Sequence, residues 1–173
     1  MKTYDSNGIP VDEVPWIAEA RKWIGTAEIA GAKNSPVISS WLQRLHAWWT
    51  DDETPWCGTF VAQCLQTRGY AIPSAWYRAF AYASHGKALS LPAYGAVVVL
   101  RRSTGKGYHV AFIVGKDAQN RLMCLGGNQG DKVTIAPFSR DRVVTITWPS
   151  VSPHPSRFEL PLLGSKTENT KEQ

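Results

Sequence analysis

The chain changes its hydrophobic repeat once, and that change restricts the fold more than any single residue does. Up to about residue 90 the apolar residues recur every three or four positions. Beyond it they fall into five short runs, "YGAVVVLRR", "YHVAFIVG", "RLMCLGG", "KVTIAPF" and "RVVTITWP", rich in β-branched and aromatic residues. The turn clusters "STGKG", "DAQN", "NQGD" and "SRDR" separate them. Strands this closely spaced pair antiparallel, because a parallel pair needs a long crossover. Helices first and strands second predict an α+β fold, with N-terminal helices packed on an antiparallel meander of about five strands.

The helical half is punctuated by proline and glycine. Pro15 suits a first turn and Gly25 a stop, and Trp16, Ile17, Ala20, Trp23 and Ile24 share one face between them. "NSPVISSWLQRLHAWW" repeats the arrangement, with Asn34 or Ser35 as cap and Pro36 in the first turn. A third helix follows in "TPWCGTFVAQCLQTRGY", closed by Gly69, and a shorter one is expected over 75–84, closed by Gly86. A chain of 173 residues can bury one substantial core, so a single domain is expected over 1–164. Within it, "PSVSPHPSRFELP" is expected to wrap the surface, and the polar stretch 165–173 is expected to be disordered.

Composition excludes several function classes. The net charge of +5 is spread without a dense basic patch, so nucleic acid is not an expected partner. The longest apolar run, "GAVVVL", cannot span a bilayer, and "MKTYDSNGIPVDEVPW" lacks the apolar stretch of a signal peptide. The expectation is a protein made in the cytoplasm, monomeric, without membrane insertion. Of the three cysteines, Cys57 and Cys64 stand seven apart, roughly 10 Å along a helix, too far for a disulfide. No C-x-x-C spacing suggests a metal, and neither metal nor cofactor is expected.

Cys57 differs from the other two by its place. With Thr54 as cap and Pro55 as first helical residue, it falls in a first turn, where unpaired amides favour a thiolate. Cys64 and Cys124 are expected core residues. A nucleophile needs a base, and His109, at the mouth of "YHVAFIVG", is the candidate. If "DAQN" forms a four-residue turn, His109 stands opposite Asn128, whose carbonyl would hold one ring nitrogen and leave the other for the thiol. A three-residue loop would offer Gln129 instead.

The blocks "PWCGTFVAQCL", "GYHVAFIVG" and "LGGNQGDKV", preceded by "EIAGAKNSPVI", resemble the papain-like cell-wall amidases and peptidases of the CHAP and NlpC type, above all small phage endolysins. The resemblance covers roughly residues 14 to 149. It implies a papain-like fold, with Cys57 as nucleophile, His109 as general base and then acid, and Asn128 orienting His109. It implies peptidoglycan as substrate, cut at an amide bond of the wall peptide. Such a protein would act in the periplasm or cell wall after passage through a holin or a secretion apparatus. Glu28 is expected either to line the groove or to form an ion pair. Trp56 and Trp76 either flank a glycan or peptide or pack in the core. Gly127 either admits substrate close to the backbone or makes a tight bend.

Three other uses fit the same residues: an injected antibacterial amidase with an immunity partner, a same-fold acyltransferase or deamidase, and a non-catalytic wall-binding module.

Overall fold

The structure, a computed structural model, describes residues 13–31 and 33–164. The stretch 165–173 lies outside the described residues. Helices α1 (Pro15–Arg21) and α2 (Pro36–Arg44) start at the expected prolines, whose missing N–H is not needed in a first turn. The Ser35 hydroxyl accepts from the Ile38 amide, so Ser35 is the cap of α2. Both helices stop short of their apolar runs. At α2 the reason is His46, whose φ of +56° turns the chain out of the helix before Trp48 and Trp49.

Helix α3 (Cys57–Thr67) is buried from Cys57 through Leu65. It is the central helix: α1 and α2 pack on it, and it packs on the sheet. The expected helix over 75–84 is shorter and tighter, a 3₁₀ helix over Ala79–Ser84. Its Tyr82 is fully buried and brings its hydroxyl to the carbonyl oxygens of Gly58 (2.9 Å) and Trp76 (3.0 Å). That contact ties the loop before it to the start of α3.

Six strands form one antiparallel sheet: β1 (Lys87–Ala88), β2 (Val97–Arg101), β3 (Tyr108–Lys116), β4 (Leu122–Gly126), β5 (Thr134–Phe138) and β6 (Val143–Trp148). Their order is β1-β6-β2-β3-β4-β5. Strands β2 to β5 form the expected meander, but β6 does not extend it. The chain returns to pair with β2, and the two-residue β1 pairs with β6. Strand β2 is almost wholly buried, so its second edge needs a partner for its amides and carbonyls. A five-strand meander would leave that edge unpaired.

The segment after Trp148 packs back on the domain. The Tyr94 amide donates to the Arg157 carbonyl (2.8 Å), and the Arg157 guanidinium lies 3.8 Å from the centre of the Tyr94 ring. The Lys116 amide donates to the Pro161 carbonyl, and the Leu163 amide to the Lys116 carbonyl. A Cβ on Gly115 would stand 2.8 Å from the Pro161 carbonyl oxygen, so this crossing requires glycine.

Candidate active site

Cys57 is the first residue of α3, but the local chemistry of that start is not the expected one. The cap position is Trp56, without a side-chain hydrogen bond. Thr54 lies outside the helix, its amide and hydroxyl both donating to Asp51 Oδ1 (2.7 and 2.8 Å). The first-turn amides are therefore left to the sulfur. The N–H groups of Cys57 and Gly58 favour its anion, and so does the Val110 N–H from β3. Burial works the other way and wins. Cys57 is 3% exposed, and desolvation pushes its thiol above the ordinary value. The expected lowered thiol pKa is thus reversed: the donors are present, but the sulfur has been taken out of water.

The Val110 contact matters for placement. It sets the Cys57 sulfur against β3, one residue beyond His109. His109 is fully buried, with its ring stacked on Phe138 at 5.4 Å and 19°. Its Nε2 donates to Gln129 Oε1 at 3.0 Å. The direction of that bond follows from the other end of the amide. Gln129 Nε2 donates to the carbonyls of Cys124 (3.2 Å) and Thr134 (2.9 Å), so the oxygen is the end facing the ring. His109 therefore carries its proton on Nε2 and keeps the lone pair on Nδ1. Among the described residues, Nδ1 has no hydrogen-bond partner, Cys57 included. Burial lowers His109 to about 4, against the Gln129 bond and with smaller help from Arg102 and Arg142. At neutral pH the pair is a neutral thiol and a neutral imidazole.

Gln129, not Asn128, presents the carbonyl that meets the ring. The expected register holds where the strands pair, at Phe112↔Leu125 and Ile113↔Cys124, with an irregularity nearer the turn, between Ile113 and Gly115. It does not reach Asn128, because β4 stops at Gly126 and Asn128 takes φ +58°. That left-handed residue turns the chain, and the next side chain folds back under His109.

Glu28 forms no ion pair among the described residues. It accepts from the Trp56 indole N–H (3.1 Å), and its carboxyl is raised by burial and by Asp131, Asp52 and Glu53. Trp56 is buried beside Trp41 (6.1 Å). A Cβ on Gly127 would stand 2.6 Å from Phe60 Cβ and 2.7 Å from Trp56 Cζ3, so this glycine lets the backbone pass under α3. Trp76 is stacked on Trp49 at 5.6 Å and 24°. Arg102, which the sequence does not single out, holds the Tyr108 carbonyl through Nε (3.0 Å) and favours the thiolate electrostatically. Beside it the exposed Phe80 packs on Tyr108 at 4.7 Å.

Comparison of the chain with family models and with curated protein sequences gives no match.

Proposed function

We propose that this protein is a thiol hydrolase of the papain-like type, and that its substrate is an amide bond in the peptide of bacterial peptidoglycan. The observation that carries the reading is the His109 ring, held at Nε2 by Gln129 with Nδ1 left as a base, on the strand that touches the Cys57 sulfur. Because both groups rest neutral, the chemistry is general-base attack rather than attack by a stored thiolate. His109 Nδ1 takes the thiol proton as sulfur adds to the carbonyl, and first-turn amides of α3 face the developing oxyanion. The proton then passes to the leaving amine. Water, deprotonated at Nδ1, releases the acyl group from the thioester. Catalytic hydrogen bonds are often long without substrate and tighten in the complex, which accommodates the unpaired Nδ1 of the resting state.

The near-complete burial of Cys57 favours a second reading, a wall-binding module that keeps this fold without chemistry. Mass spectrometry of muropeptides after incubation with purified sacculi, with and without an added amine, decides among the readings. A hydrolase yields new carboxyl and amine ends, a transferase yields amine adducts, and a binding module leaves the muropeptides unchanged.

A further inference from the structure

We propose that the cleft at the C-terminal end of α2 is a saccharide subsite that takes a neutral pyranose chain against Trp49 and Trp48. The inference rests on the wall-polymer reading above and assigns the glycan part of that substrate to a place in the fold. The cleft has a volume of about 530 Å³ and is lined chiefly by Ser39, Gln43, His46, Trp49 and Thr50.

Its chemistry selects the ligand. No Asp, Glu, Lys or Arg lines it, although 19% of the chain is charged. An anionic or cationic ligand would find no counter-charge there. What the lining offers is an amide, an imidazole, two hydroxyls and an aromatic wall. Gln43, His46 and Thr50 are exposed, and among the described residues their side chains have no hydrogen-bond partner. A pyranose presents the complement: hydroxyls around a rim and an apolar C–H face. Ligand sites commonly combine an apolar wall with a few placed polar groups in this way.

The aromatic wall is held in place by ring packing. Trp49 is fixed by its stack on Trp76 and by edge contacts with Tyr77 (5.6 Å) and Trp48 (4.7 Å). Trp48 also meets Tyr77 at 4.9 Å, yet it is 75% exposed. Behind Trp49, the Trp76 backbone packs on the start of α3: its carbonyl oxygen would lie 2.5 Å from a Cβ on Gly58, the residue after Cys57.

The test is titration of chitotetraose into the Cys57→Ala protein, followed by tryptophan fluorescence and by amide shifts of residues 39–50. We expect saturable quenching with shifts confined to this segment, and about ten-fold weaker binding in Trp48→Ala and in Gln43→Ala. Both side chains are exposed, and circular dichroism confirms that the variants are folded. No saturable change, or unaltered affinity in both folded variants, overturns the inference. Wall digestion by the unmodified protein separates the two claims. Amine release without chitotetraose binding removes the subsite and leaves the hydrolase, and binding without amine release does the reverse.

Discussion

His109 links acid stability to the site, with a magnitude that follows from its burial. The ring is fully buried against Phe138, and its pKa falls from 6.5 to about 4. Below pH 6.5 the unfolded chain takes up a proton on this residue that the folded protein refuses until about pH 4. Stability from this group is therefore complete above 6.5 and is lost as the pH falls to about 4. At about 1.4 kcal/mol for each tenfold change in proton affinity, the loss is about 3 kcal/mol. That is a large part of the ~5–15 kcal/mol that holds a typical domain together. Urea unfolding of the wild type and of His109→Gln, at neutral pH and near pH 4, isolates the term because the other titrating groups are common to both. The wild type should lose about 3 kcal/mol more than the variant over this interval. Equal losses would refute the argument that the imidazole is buried neutral. The same burial should place the acid limb of kcat/KM near pH 4, since the base stays unprotonated above it.

Gln129→Ala should lower turnover about a hundredfold or more, because the ring loses both its anchor and its tautomer; Asn128→Gly, which keeps the left-handed turn, should retain most activity. Comparable kcat losses in the two variants would contradict the assignment of Gln129. Gly127→Ala should cost about 1–3 kcal/mol in thermal or urea unfolding, since its Cβ meets Phe60 and Trp56. Iodoacetamide should alkylate Cys57 slowly at neutral pH and faster as pH rises past the ordinary thiol range. A fast, pH-independent rate at neutral pH would show a stored thiolate instead.

Local patterns were legible where local physics decides them. Pro15, Pro36 and Ser35 mark helix starts because a missing N–H and a hydroxyl cap act within one turn. The β-rich runs mark strands because alternation and turn residues are neighbours in sequence. What was not legible depends on distant partners. The return of β6 to β2 answers an unpaired edge some forty residues earlier. The helix starting at Cys57 has no side-chain cap to read, because Thr54 is engaged by Asp51. The sign of the Cys57 shift depends on how deeply β3 and its neighbours bury the sulfur, which periodicity cannot supply. Gln129 was reachable only as the alternative register. The feature that selects it is one backbone angle at Asn128, and an Asn directly after Gly127 is compatible with many turns.

The central claim is that amide cleavage passes through sulfur on Cys57. Release of free amines from purified sacculi, measured for the wild type and for Cys57→Ala at matched protein folding, addresses it most directly. The account predicts steady release by the wild type and none above background by Cys57→Ala. Release at similar rates by both proteins, or by neither, would contradict it.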